Sequence, residues 1–536
     1  MKIKHLLPPL LVVIGAGLLT AIASTTAIRT EPPAPLTGFA DDVAVAAAGI
    51  DELMEARWRE IGVIPAAPAD DLQVLRRLSL ALHGTIPSLE EIRRFETDDQ
   101  PQRLTRWTAA MLEDSRFADY FAERLARAFV GVEQGQFVIY RRDRFTEWLR
   151  AQLRDRRAYD AIVHDLISGR GVWTGTGEVN FITAGFANGD FDENKLAART
   201  VRAFLGQRID CAQCHDHPFD VWKQEQFEGL AAHFGQVQLT VGGIADNAGD
   251  YSVEDLETLE PRPVEPSVPF HPEWLGAAGT RREQLAAWVT HPENRRFERA
   301  IANRVWGLLC GRPYLADRPV DDLPDPERDE FANETRLLDT LGRDFREHDC
   351  DLRRLIQVIT ATRVFRLDSI AATLDPRQLE QTEAAWAVFP ITRRRPEQVI
   401  GAMLQANSVQ TIDQNSHLLV RFRRFIRERD FVDEYGDLGD NELDNRTGTI
   451  SQALLRMNGE FAHEMAAEKA FSAPGRIAAY SSTPETLLEA CFLACLTRRP
   501  APDESAHFLP QLQNRRRQPD GVVQDIYWAL FNSPEF

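Results

Sequence analysis

Two thiols and two imidazoles fall within one short stretch of this chain, as Cys211, Cys214, His215 and His217. The chain holds only six cysteines in 536 residues, so the cluster is a local feature and not a by-product of composition. Cys-x-x-Cys-His is the pattern that attaches c-type haem. Its two thiols add across the haem vinyl groups, and the adjacent imidazole ligates the iron. Haem c anchored at Cys211 and Cys214 with His215 as proximal ligand is therefore the leading expectation. The same atoms suit zinc or another transition metal, with Cys211, Cys214, His215 and His217 as ligands. They also suit a disulfide between Cys211 and Cys214 in a loop stiffened by Pro218. Asp216 and Asp220 are placed to accept from the imidazole N–H groups and orient the rings.

His217 cannot be the second axial ligand of an iron already held by His215. Two residues span at most about 7 Å, too little to place an imidazole on each face of a macrocycle. A distal ligand would have to come from elsewhere, with His233, Met403, Met457 and His348 of suitable kind.

The elements that must position this cluster read as helices. A leucine-rich segment with Leu72, Leu75, Leu78 and Leu82 stops at His83-Gly84, and Ser88 with Glu91 forms a capping box for the next helix. Helical periodicity continues near 101–113, 116–131, 142–155 and 158–168. A helix over 193–207, with Leu196, Val201, Phe204 and Leu205 on its apolar side, delivers the chain to Cys211. Another follows over 222–234. Residues 235–279 lose this period and carry Pro261, Pro263 and Pro266, which predicts a linker with a short hairpin near 237–241. Periodicity resumes at Arg281. Phe297, Ile301, Val305 and Leu308 then form a stripe ending at Gly311, a C′ residue. Leu352, Leu355, Ile356 and Ile359 make a second stripe, and further helices are predicted near 395–406, 448–467, 484–497, 502–516 and 520–532.

The fold class predicted is mainly α, with two helical lobes joined by an irregular, partly extended linker. The boundaries are a signal peptide at 1–24, a flexible tether at 25–45, a first domain at 46–236, the linker at 237–280 and a second domain at 281–536. Lys2 and Lys4 before an apolar run over 6–22, then Ala21-Ile22-Ala23, have the anatomy of a secretory signal. The alternative is a retained anchor, since the run is long enough to span a bilayer. Either way the body is expected to be secreted or periplasmic, where haem attachment and disulfide formation are both available. No further membrane span is expected. A net charge of −19 argues against a general nucleic-acid binder.

The motif extends into a longer signature. Phe204-Leu205-Gly206 precedes Cys211, Cys214 and His215, and His217, Pro218, Phe219, Asp220 and Trp222 follow. Upstream stand Gly84, Ile86 and Pro87; downstream stand Asn303-Arg304-Val305-Trp306, Gly311, Asp321-Asp322 and a closing Asn532-Ser533-Pro534-Glu535-Phe536. On these residues the chain resembles the secreted cytochrome-like proteins of planctomycete bacteria. Those carry two consecutive domains of unknown function, numbered fifteen-forty-nine and fifteen-fifty-three. The likeness covers roughly residues 50–536. Two departures stand out: residues 332–338 lack the histidine often found after the double aspartate, and the separate N-terminal cytochrome domain of many relatives is missing. The expected function is electron transfer or haem redox chemistry. Partners would be other exported redox proteins or substrates related to extracellular polysaccharide. A metalloenzyme and a non-catalytic envelope scaffold are the other readings.

Weaker signals have plainer explanations. The glycines of 168–177 lack dinucleotide-binding spacing and predict a loop near the motif. Asp321, Asp322, Asp325 and Asp329 read as a solvated acidic loop. Arg421, Arg423, Arg424, Arg427 and Arg429 read as the charged face of an amphipathic helix, and Asn303 with Arg304 as a buried polar network. Cys491 and Cys495, one helical turn apart, read as core packing, and Cys310 with Cys350 is a conceivable bridge.

Overall fold

The computed structural model describes residues 40–132, 140–187, 190–218, 221–254, 260–315, 317–370, 375–413, 416, 435–436, 439, 443, 449–513 and 521–536. The expected signal peptide and most of the tether lie outside the described residues, as do Phe219, Asp220 and the arginine-rich stretch 421–429. Among the described residues no helix is long and apolar enough to cross a membrane.

The protein is mainly α-helical. The helices before the motif are α1 (Ala40–Ile61), α2 (Asp71–His83), α3 (Leu89–Thr97), α4 (Arg103–Glu113), α5 (Ser115–Val130), α6 (Arg142–Arg154), α7 (Tyr159–Ser168), α8 (Asn180–Thr183) and α9 (Glu193–Leu205). After it come α10 (Gln224–Ala232), α11 (Arg281–Val289), α12 (Arg295–Cys310), α13 (Ala332–Glu347), α14 (Leu352–Ala361), α15 (Arg363–Arg366) and α16 (Pro376–Ala384). The chain closes with α17 (Pro396–Ala406), α18 (Ile450–Asn458), α19 (Glu460–Ala466), α20 (Ala473–Tyr480), α21 (Pro484–Leu496), α22 (Pro502–Gln513) and α23 (Val522–Phe531). The strands are short antiparallel pairs: β1 (Phe186–Ala187) with β2 (Asp190–Phe191), β3 (Val237–Thr240) with β4 (Gly243–Asp246), and β5 (Ser252–Glu254) with β6 (Pro261–Pro263).

Local chemistry sets many of these boundaries. Gly84 ends α2 in the left-handed region, and the Ser88–Glu91 capping box opens α3 as expected. Gly311 ends α12 at φ 83°. The helix predicted over 448–467 is instead two, because Gly459 leaves helical geometry with φ −66° and ψ 140°. The expected hairpin is present, with Val237 opposite Asp246 and Thr240 opposite Gly243.

The apolar cores are not divided at 237–280. One large apolar core runs from Val43 to Phe389, joined by Leu443, and takes residues from both sides of that segment. A second core is built from residues beyond Val399 together with Ile86. The extended segment covers the first core and buries Val237, Ile244 and Tyr251 in it. Arg282 shows how it is held: fully buried, it donates to both Asp246 oxygens at 2.7 and 2.8 Å and to the carbonyls of Ile167 and Gly169. A bidentate pair of this kind, with its remaining donors satisfied, ties β4 and the end of α7 to α11. The glycine-rich loop lies on the same hairpin, where Gly171 and Ile244 exchange backbone hydrogen bonds at 2.8 and 2.9 Å.

Candidate functional site

Helix α9 leads directly to the motif. Asp192 caps its start by accepting from the Lys195 amide, and Gly206 ends it at φ 62°. A Cβ at Gly206 would lie 3.1 Å from Leu323 Cδ1 and 3.3 Å from Ala300 Cβ, so a strained conformation and a close approach both favour glycine there. The Leu323 amide donates to the Gly206 carbonyl at 2.7 Å, and buried Gln207 donates through Nε2 to the Leu323 carbonyl at 2.8 Å.

Asp321 reinforces the same junction. Its carboxylate accepts from Arg202 at 3.0 Å and Arg208 at 2.8 Å, one guanidinium from each side of Gly206. Burial alone would raise its pKa, but Arg202, Arg304 and Arg208 together hold it below the ordinary carboxylate value. The expectation of a solvated acidic loop fails here, because Asp321 is only 7% exposed. Asp325 is likewise engaged, with Arg296 at 2.5 Å. Charge spacing along the chain could not show this, since the arginines that bind Asp321 are more than a hundred residues away in sequence.

From this anchored base the chain forms a 3-10 turn over Asp210–Gln213. Ile209 and Ala212 enter the core while Cys211 and Cys214 point to solvent as free thiols. The far side of the loop is pinned by Trp222, which is buried and whose carbonyl accepts from the His217 amide at 2.8 Å. Neither conceivable disulfide, Cys211 with Cys214 or Cys310 with Cys350, is formed, and all four thiols are free.

His215 is exposed, and its Nδ1 lies 2.7 Å from the Asp216 carbonyl. A carbonyl oxygen can only accept, so Nδ1 is the donor, and in the neutral imidazole Nε2 keeps its lone pair. That is the tautomer an imidazole needs to ligate iron or another metal through Nε2. His217 is half-buried. Asp216 does not orient an imidazole through its side chain. Its carboxylate accepts from Lys223 Nζ at 2.7 Å and from the Gln224 amide at 3.1 Å, which holds its pKa below the ordinary range and caps the entry to α10. Asp220 lies outside the described residues.

The donor set therefore fits thioether attachment and single-sided ligation: two accessible free thiols with a correctly protonated imidazole next to the second. Among the described residues no three His, Cys, Asp or Glu side chains converge on a common point. Of the four distal candidates, three sit in contacts of their own and Met457 is exposed. His233 is buried at the end of α10, with Nδ1 at 3.0 Å from the Arg281 carbonyl, and burial pulls its pKa down to about 4. Met403 sits inside the second core. Met457 lies on an exposed face of α18. His348 places Nδ1 at 2.7 Å from the Asp344 carbonyl.

The order of these parts matches two families in succession. Residues 49–239 match PSCyt2, a protein of unknown function (DUF1549), and residues 281–424 match PSD1, a protein of unknown function (DUF1553). The chain belongs to the proteins that carry these two domains one after the other. No curated protein and no solved structure matches it. The Cys motif lies in the first domain and Asp321, which holds its base, in the second.

Proposed function

We propose that the chain is an exported c-type cytochrome-like protein, with haem attached at Cys211 and Cys214 and His215 as proximal ligand. Its role would be electron transfer or haem redox chemistry with other exported redox proteins. The observation that supports this best is the contact of His215 Nδ1 with the Asp216 carbonyl, which turns Nε2 over to ligation beside two exposed thiols. Bound haem would supply reversible one-electron iron chemistry. The chain's own part is to present the two thiols on one short turn, to orient His215 through the Asp216 carbonyl, and to hold the turn with Ala212 and Trp222. No basic footprint for nucleic acid and no second membrane span enters this reading.

The test is expression of the full chain with a haem-attachment system in an exporting host, followed by spectra of the denatured, extracted protein. A haem band that stays with the polypeptide is expected. It should vanish when Cys211→Ser and Cys214→Ser are combined. Absence of the band in the parent protein would overturn the reading. Stoichiometric zinc or another transition metal in that preparation, lost in Cys211→Ser and His217→Ala, would establish the metalloenzyme alternative in its place.

A further inference from the structure

His271 stands at the start of a 3-10 turn over Pro272–Trp274, in the segment between the two matched domains, with its φ of 46° in the left-handed region. Both nitrogens of its ring meet a carboxylate: Nδ1 lies 2.7 Å from Glu273 Oε1, and Nε2 lies 3.1 Å from Glu327 Oε1. A neutral imidazole has one N–H and one lone pair, so one of its nitrogens would face an ionised oxygen that can only accept. The position fits the imidazolium, which donates at both ends. The same ring stacks on half-buried Trp274, with centroids 4.0 Å apart and planes 14° apart, and His291 covers the other face of that indole at 4.8 Å. A cation over an indole face is attracted to its π-electrons, so charge on His271 strengthens three contacts at once.

The other charged groups around it are already engaged. Arg296 of α12 donates to the same Glu327 oxygen at 3.0 Å and to Asp325 at 2.5 Å, and its guanidinium covers the Phe270 ring. The rest of the segment is held by contacts that do not titrate. The Phe270 carbonyl accepts from Trp288 Nε1 at 2.8 Å, and the Ser267 amide donates to the Gly229 carbonyl of α10 at 3.1 Å.

We propose that His271 is a proton-operated clasp: charged, it fastens the turn 271–274 to Glu327 of the second domain, and neutral, it releases that turn and uncovers Trp274. Hydrogen bonding to Glu273, with the charge and hydrogen bond of Glu327, raises the His271 pKa above its ordinary 6.5. The fastening is therefore complete below 6.5 and is lost as pH rises through the folded value. The imidazole is partly open to solvent, so the proton can enter and leave without unfolding of the core. The clasp does not depend on what Cys211 and Cys214 carry.

Two measurements on the full chain test it. Histidine ring protons are followed by NMR from about pH 5 to about pH 9, with His271 assigned by its absence from His271→Gln. His271 is expected to titrate above 6.5, and Glu273→Gln and Glu327→Gln should each move it down. Hydrogen exchange corrected for its intrinsic pH dependence then reads the amides of Trp274 and Leu275, which donate to the His271 and Pro272 carbonyls. Their protection should fall about threefold or more as His271 loses its proton, with no such step in His271→Gln. Titration at or below 6.5, or protection that stays constant across the titration or falls equally in His271→Gln, would overturn the proposal. If a variant fails to fold, the parent titration and its exchange step decide together.

Discussion

Cys211 with Cys214 and Cys491 with Cys495 are pairs of one residue type at nearly equal spacing, and the fold gives them opposite surroundings. The first pair sits on a 3-10 turn with both thiols free and exposed. The second lies on α21, fully buried in the second core beside Phe492 and Tyr527. Burial pushes the Cys495 thiol well above its ordinary pKa. Reactivity follows the thiolate and its access to solvent, so only the first pair is equipped for attachment or ligation. The histidines repeat the contrast. His215 presents a lone pair to solvent, whereas His83 is buried with Nε2 at 3.0 Å from the Met111 carbonyl, and burial lowers its pKa to about 4.

The sharpest way to break this comparison is chemical. Replacing Cys211 and Cys214 together with serine should remove covalent haem completely, while replacing Cys491 and Cys495 should leave the haem content per folded molecule unchanged. Haem spectra normalised to folded protein check both. Next in size is alkylation of the cofactor-free protein followed by mass spectrometry. Cys211 and Cys214 should label within minutes, and Cys310, Cys491 and Cys495 at least about a hundredfold more slowly, because their labelling awaits opening of the core.

The buried titratable groups give a smaller but signed effect. His83 stays neutral in the fold, so its contribution is present above its ordinary pKa of 6.5 and is lost as pH falls through about 4. That loss amounts to about 3 kcal/mol. Glu298 works the other way. Burial raises its pKa to about 7, so its contribution is present below 4.5 and is lost as pH rises through about 7. Urea unfolding across this range should show the acid-side loss diminished in His83→Gln and the neutral-side loss diminished in Glu298→Gln. The smallest effects are those of single cysteines on stability. Cys495→Ser should cost about 1–3 kcal/mol by burying a hydroxyl among apolar groups, and Cys211→Ser should change it by less than about 0.5 kcal/mol. Equal costs at the two positions would erase the distinction between them.

Local signals carried much of the fold. The Ser88–Glu91 box, Gly84, Gly311 and the apolar face of α9 are encoded within one or two turns of chain, where capping and side-chain period act directly. Helices α16 and α20 are less legible: α16 buries only Thr382, and α20 covers just eight residues, so neither has a long stripe. Asn303 was readable as part of a buried network, and it accepts from the Tyr314 amide and donates to the Val320 carbonyl, both at 2.9 Å. Arg304, beside it, is buried as expected and acts on Asp321, whose pKa it helps to lower. The role of Asp321 was invisible because its partners are distant in sequence and its neighbours, Pro319, Pro324 and Pro326, read as those of an exposed loop.

What the sequence determined by itself is the helical class, the two-domain order and the chemical identity of Cys211, Cys214 and His215, because propensity, capping and motif spacing are short-range properties. Only the tertiary structure decided which cysteines face water, how Asp321 is held, and that one core extends across residues 237–280. Those outcomes depend on contacts between residues far apart in the chain: Asp321 with Arg202 and Arg208, Leu323 with Gly206, Arg282 with Asp246. Burial and dielectric are properties of the packed assembly, and no window of sequence contains them.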